Sequence, residues 1–391
     1  MRTRHGVRPA RVLSGGLMAA GLLLTVLPTG AVAADHPYRV RLLDTLTVPA
    51  GTTAFGMPFG GLSGLDHDRR TGTYVALSDD RSENGKARFY TLRLPVHGTA
   101  FAHDQPDVES LTVLDDVTGE PFAPKAVDPE AIRWTPGGRS LLWTSEGASN
   151  SGQPAFLREA SPSGAYVREL PLPEAYAPVR SADGKLVAGV RNNQALEGLT
   201  LTPDGRKAVT VTENALVQDG PAASLTAKSP SRLLVTDRRT GKPLAEHVYE
   251  VDPVSDAPTA PLPAPVNTYS ADRGVSEILA ISDTDFITVE RSFASGVGFA
   301  IRLYWTTTRG ATDVRGEEAL SGSERPMRKH LLYDFTTSGT DADNVEGITW
   351  GPTLPDGSRS LVLVSDDNFG FNSGLTKFHL LSVDRGLTKH S

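Results

Sequence analysis

The sequence predicts an all-β protein, a β-propeller, on three observations. One motif recurs five times, each copy reads as a hairpin, and long helical periodicities are few in a chain with 38 Gly and 28 Pro. The copies are GLSGLDHDRRTGTYVALSDDR (Gly61–Arg81), VDPEAIRWTPGGRSLLWTSEG (Val127–Gly147), NQALEGLTLTPDGRKAVTVTEN (Asn193–Asn214), GVSEILAISDTDFITVERS (Gly274–Ser292) and NVEGITWGPTLPDGSRSLVLVSDDN (Asn344–Asn368).

Aligning the copies on Ser63, Glu130, Glu197, Glu277 and Glu346 gives steps of 67, 67, 80 and 69 residues. Such a period suits a four-stranded blade with generous loops better than a minimal blade of about 40–45 residues. Five blades are therefore counted. The longer step, around residues 215–273, leaves room for a sixth blade without the signature.

Each copy opens with a short apolar strand such as EGLTL, turns at residues such as Pro203-Asp204-Gly205, and returns through a second strand such as AVTVTE. ARFYTLRL (87–94) and FAIRLYWTTT (299–308) read as third strands. SRLLVTDRRTGKPLAEHVYEV (231–251) reads as two further strands about an Arg-Arg-Thr-Gly turn. The last repeat has room only for TKFHLLSVD (376–384). The N-terminal run YRVRLLDTLTV (38–48) is then expected to supply the missing outer strand and close the ring.

Residues 1–33 read as a secretory signal peptide: Arg2, Arg4, Arg8 and Arg11, a short apolar run Leu17–Leu27, then Ala31-Val32-Ala33. The apolar run is too short to span a membrane. Residues 34–391 are expected to form one secreted, monomeric domain. Losing four Arg and no acid takes the net charge from -7 to about -11. An acidic chain is a poor partner for nucleic acid or an anionic membrane and a plausible one for cations. There is no Cys, so disulfides and thiol chemistry are excluded.

Residues equidistant from a hairpin turn face each other, so each repeat is expected to set two acids side by side. The expected pairs are Glu130 with Glu146, Glu197 with Glu213, Glu277 with Glu290 and Glu346 with Asp366, while Ser63 faces Asp79. Gathered around one axis they would form an acidic rim. Like charges across a strand pair repel, so the rim calls for a compensating cation or basic side chains. Calcium takes six to eight oxygens and suits such a rim. The expected ligands are Asp79, Asp80, Glu130, Glu146, Glu197, Glu213, Glu277, Glu290, Glu346, Asp366 and Asp367. Arg81, Arg191 and Arg291 adjoin the motif, where they would clamp a phosphate or pair with the neighbouring acids.

Other chemistries find less support. Asp80-x-Ser82-x-Asn84-Gly85 begins like a calcium loop, but the twelfth position is Thr91 where an EF-hand needs Glu. There is no G-x-S-x-G around Ser63, no H-E-x-x-H and no P-loop. Trp134, Trp143, Trp305 and Trp350 lie within strands and are expected to pack between blades.

The recurrent E-G-[LI]-x-[LW] followed by [ST]-[ED]-[ENDR], with Leu77–Arg81, Asp128–Ile132, Asn193–Leu199 and Asn344–Ile348, resembles the secreted phytase-like family, also described as having esterase-like activity. The resemblance covers nearly the whole of residues 34–391. It implies a hydrolase of a small phosphoester or ester. Propeller phytases use calcium to bind substrate phosphate and activate water, and that logic would fall on the acids and arginines above, with Glu197 and Glu213 as catalytic carboxylates. Two alternatives stand beside it: a non-catalytic extracellular propeller stapled by calcium, and a metal-independent carboxylesterase.

Overall fold

Strand pairing in the computed structural model, which describes residues 38–385, resolves the five repeats into five four-stranded antiparallel sheets. The expected signal peptide lies outside the described residues. Blade I comprises Leu62–Asp68, Thr73–Ser78, Arg88–Arg93 and Asp107–Val113. Blade II comprises Pro129–Trp134, Leu141–Ser145, Phe156–Ala160 and Tyr166–Leu170. Blade III comprises Leu196–Leu201, Lys207–Thr212, Ser229–Asp237 and Pro243–Val251. Blade IV comprises Ala271–Ala280, Asp285–Ala294, Gly298–Thr307 and Arg328–Asp334.

Blade V joins the two ends of the chain. Asn344–Thr353, Arg359–Asp366 and Lys377–Arg385 are completed by Tyr38–Thr47, which pairs antiparallel with Lys377–Arg385 along its whole length. The ring therefore closes through backbone hydrogen bonds between the strand Tyr38–Thr47 and the strand Lys377–Arg385, which lies next to it in the blade. Among the described residues no sixth four-stranded sheet occurs; residues 215–228 and 252–270 are loops.

The inner strands are apolar on both faces because each sheet is covered there on both sides. Val75 and Leu77 of blade I pack on Ile132, Leu141 and Trp143 of blade II. Tyr74 and Ala76, on the opposite face of the same strand, pack on Val362, Val364 and Phe378 of blade V. Equivalent clusters fill the other blade interfaces.

The glycines of the recurrent E-G pair have a steric reason. Innermost strands meet around a narrow axis, and a Cβ on Gly64 would lie 2.9 Å from both Glu130 O and Ile132 N of the next strand. A Cβ on Gly198 would lie 3.1 Å from Ile278 N, and one on Gly347 would lie 3.2 Å from Leu65 N. The corresponding residues are Ala131 in blade II and Glu277 in blade IV.

Candidate metal centre

The same irregularity recurs in all five inner hairpins. Register shifts between Leu62 and Gly64, Pro129 and Ile132, Leu196 and Gly198, Val275 and Glu277, and Val345 and Gly347. A bulge re-aims the skipped side chain, and here the skipped residues are Ser63, Glu130, Glu197, Ser276 and Glu346. The serines play matching roles: Ser63 Oγ donates to Pro129 O at 3.2 Å, and Ser276 Oγ donates to Val345 O at 2.9 Å. Each therefore binds the carbonyl just before the bulged acid of the next blade.

This register corrects the alignment of the fourth repeat by one residue. Ser276, rather than Glu277, stands at the bulge, and Arg291, rather than Glu290, stands where the other second strands carry an acid. Val275 pairs with Glu290 as Leu196 pairs with Thr212, so the next residue is Arg291 in blade IV and Glu213 in blade III. A one-residue slip sends every side chain to the other face. Glu277 thus points down the axis, where it accepts from Leu199 N at 2.8 Å and pairs with buried Arg133. Glu290 leaves the axis and meets Tyr249 Oη at 2.6 Å, Arg273 and Lys329.

The remaining acids converge. Asp128, Glu130 and Glu146 offer carboxylate oxygens within 4.8 Å of one another, and so do Glu146, Glu197 and Glu213. Glu146 belongs to both groups. It accepts from Ala195 N of the next blade and lies within hydrogen-bonding reach of the Glu197 carboxylate. Two carboxylates approach so closely only when they share a proton or a cation. Asp79, Glu346 and Asp366 continue the ring, with Asn344 Nδ2 donating to Glu346 at 2.9 Å and to Asp366 at 3.3 Å. Contacts therefore run between neighbouring blades as well as across each hairpin.

One cation sits inside the ring. Arg291 donates to Glu213 Oε1 at 2.8 Å and to Asn344 Oδ1 at 3.2 Å, and lies 3.8 Å from Glu346. Arg81 lies at the margin, 3.4 Å from Asp128, with its side chain about a third exposed at 35%. Burial, the largest cause, and neighbouring carboxylates push Asp128 up to about 7 and Glu213 up to about 8; in Glu213 the Arg291 charge opposes the shift. The same forces hold Asp79, Glu130, Glu197 and Asp366 well above the usual carboxylate range. Asp79 Oδ1 is buried without a hydrogen-bond partner. An all-oxygen donor set with excess negative charge and an orphaned carboxylate oxygen fits calcium.

Besides Glu277 and Glu290, three more of the expected residues are engaged elsewhere. Asp80 is fully buried against Arg88 at 2.7 Å and caps Glu83 N and Asn84 N, so the half calcium loop is a turn held by an ion pair. Arg191 donates to the carbonyls of Ala215 and Gly220. Asp367 accepts from Gly61 N at 2.8 Å and Phe369 N at 3.1 Å, beside Asp366. The sequence reading left out Asp128, although it is the partner of Glu146 in the strand register: Glu146 N donates to Asp128 O at 3.0 Å. Trp143 is buried between blades I and II as expected, and the half-buried Trp134 and Trp350 pack against the cores between blades I and II and between blades IV and V at the other end of the axis, whereas the buried Trp305 lies beside His330 of its own blade.

The model of the phytase-like family, described as "Esterase-like activity of phytase", matches residues 57–369. No curated protein matches the chain. Solved structures similar to it include the Dos1 propeller, at 9% identity and TM-score 0.33, covering 84% of this chain and 69% of that one. The Cps50 (Swd1) propeller domain of Myceliophteria thermophila follows at 11% identity and TM-score 0.33, covering 84% and 98%. At these scores the fold assignment rests on the strand pairing itself. No helix among the described residues is long and apolar enough to cross a membrane.

Proposed function

Because the chain belongs to the phytase-like family, we propose that it is a calcium-dependent hydrolase acting on a small phosphoester at the carboxylate ring. The observation that carries this reading is the cluster shared through Glu146, in which five buried carboxylates of two blades converge with Arg291 as the nearest internal cation. Asp128, Glu130, Glu146, Glu197 and Glu213 would hold the ion. When bound, calcium supplies positive charge that neutralises a phosphoryl oxygen and acidifies water.

The chain's own residues divide the remaining work. Arg81 has the exposure and the position to meet a phosphate from solvent, and guanidinium matches a phosphoryl group bidentately. Arg291 is engaged with Glu213 and keeps that carboxylate oriented. Glu213, fixed by that contact at the edge of the cluster, is the candidate to accept a proton from attacking water. Export through residues 1–33 is part of the proposal, since extracellular calcium fills sites with Kd of about 10⁻⁴–10⁻³ M.

A carboxylesterase centred on Ser63 receives less support. The Ser63 hydroxyl donates to Pro129 O, and His67 lies four strand residues away, about 13 Å along the chain, with Nδ1 on Trp350 O. The deciding experiment is calorimetric calcium titration of chelator-stripped protein, followed by an aryl phosphate assay with and without calcium. Saturable binding with calcium-dependent turnover is expected. Binding that raises stability without turnover would leave a calcium-stapled binding propeller, and turnover indifferent to chelation would end the metal reading.

A further inference from the structure

The axis has a second mouth, about four residues along the inner strands from the acids, or about 13 Å. Between the two lies Arg133. Its guanidinium donates to Leu65 O and Ile132 O at 2.8 Å and to Ile348 O at 3.2 Å, and it pairs with Glu277, so carbonyls of three blades and a carboxylate of a fourth converge on it. This plug separates the two ends of the channel.

Beyond the plug open two cavities of about 410 and 380 Å³, which share His67 and Arg69 in their walls. Among the residues that line them, three polar atoms able to donate are left over: Tyr74 Oη at the first cavity, and Trp134 Nε1 and Arg133 Nε at the second. All three atoms are buried, and none has a hydrogen-bond partner. Tyr74 and Arg133 are each only 2% exposed. A buried donor without an acceptor is costly, and folded proteins rarely keep one beside a cavity without a ligand or ordered water to meet it.

The charges agree with the donors. Arg69 is exposed, has no ion pair among the described residues, and its charge acts on the Tyr74 hydroxyl and on His67, where the Asp66 and Asp68 carboxylates oppose it. Arg359 stacks on the Trp350 ring in the second cavity. The one acid in either lining is Asp66, and its oxygens already accept from Trp134 N at 2.8 Å and Thr349 Oγ1 at 3.0 Å. The unpartnered donors and the Arg69 guanidinium suit an anion rich in acceptors. The indole of Trp134 and the half-buried ring of Trp350 add apolar surface at the same mouth.

We propose that this mouth is a second binding site, independent of the carboxylate ring, for a small molecule bearing a phosphate or carboxylate. Its polar contacts come from Arg69, Tyr74, Trp134 and Arg133.

The test uses calcium-free protein, with the chelator removed, titrated separately with inorganic phosphate and with glucuronate. Binding is read by calorimetry and by tryptophan fluorescence. Saturable binding of at least one probe with Kd of about 1 mM or tighter is expected. Arg69→Met and Tyr74→Phe should each weaken it by about tenfold, while Glu146→Gln, in the ring, leaves it unchanged. Preference for one probe tells phosphate from carboxylate. Neither Arg69 nor the Tyr74 hydroxyl holds a structural hydrogen bond, so both variants should fold. Absence of saturable binding, or binding that persists in both variants, overturns the proposal. So does binding lost in Glu146→Gln and kept in Arg69→Met, which would place the anion at the ring.

Discussion

Arg291 stands at the strand position that Asp79, Glu146, Glu213 and Asp366 fill in the other blades, and its guanidinium lies 2.8 Å from Glu213. Four blades thus contribute an acid and the fifth contributes the counter-charge. Removing one partner of a buried pair strands the other. In calcium-free protein, Arg291→Met is expected to lower stability by about 3–5 kcal/mol, measured by urea melts. Calcium should recover more stability in this variant than in the parent, because it replaces the missing charge. A calcium-free variant as stable as the parent would show that Glu213 and Glu346 do not depend on Arg291.

The ring should also respond to pH with a definite sign. An acid whose pKa is raised by folding binds more protons folded than unfolded between the two values, so rising pH removes stability across that window. For Asp128 the window runs from 3.8 to about 7, and for Glu213 from 4.5 to about 8. Calcium-free protein should therefore melt at a lower temperature at about pH 8 than at about pH 5. Calcium binds the deprotonated carboxylates, so its stabilisation should grow over the same range. Thermal melts at both pH values with and without calcium check this. A calcium-free melting temperature that rises with pH would mean that other groups dominate.

Much of the fold was legible because each repeat carries its own turn. Pro203-Asp204-Gly205 and the apolar runs beside it locate a hairpin, and repetition around residue 70 makes blades of the hairpins. The closing strand Tyr38–Thr47 followed from a count: the last repeat lacked a fourth strand. The ring was legible only in part. Counting outward from a turn assumes that strands pair without interruption, and every inner hairpin has a bulge beside the acid. In blade IV that one residue exchanged Ser276 for Glu277 and Arg291 for Glu290. The Arg133–Glu277 plug joins residues 144 apart, and no local pattern announces such a pair.

That plug gives the corrected register a direct test. If Glu277 lies down the axis, Glu277→Gln should leave calcium affinity at the ring within about twofold of the parent, whereas Glu197→Gln combined with Glu213→Gln should weaken it by about tenfold or more. Arg133→Met should cost about 3–5 kcal/mol by leaving Glu277 buried and unpaired. The double variant Arg133→Met, Glu277→Met should recover much of that loss, since replacing both partners with apolar groups is often nearly neutral. Calorimetric titration and denaturant melts separate the two effects. A Glu277→Gln variant that loses calcium would return Glu277 to the ring.

The narrow axis makes a prediction about a single methyl group. Gly64→Ala places its Cβ 2.9 Å from Glu130 O and Ile132 N, atoms of a neighbouring backbone that is fixed by its own sheet. Such overpacking costs about 1–3 kcal/mol. At the matching position of blade II the natural residue is Ala131, and Ala131→Gly should cost about 0.5–1 kcal/mol through chain entropy. Gly64→Ala should also weaken calcium binding, because the displaced strand carries Glu130, one of the clustered carboxylates. Denaturant melts paired with calcium titration measure both. If Gly64→Ala matches the parent in stability and affinity, contact between inner strands is not what restricts this position to glycine, and the E-G pair needs another cause.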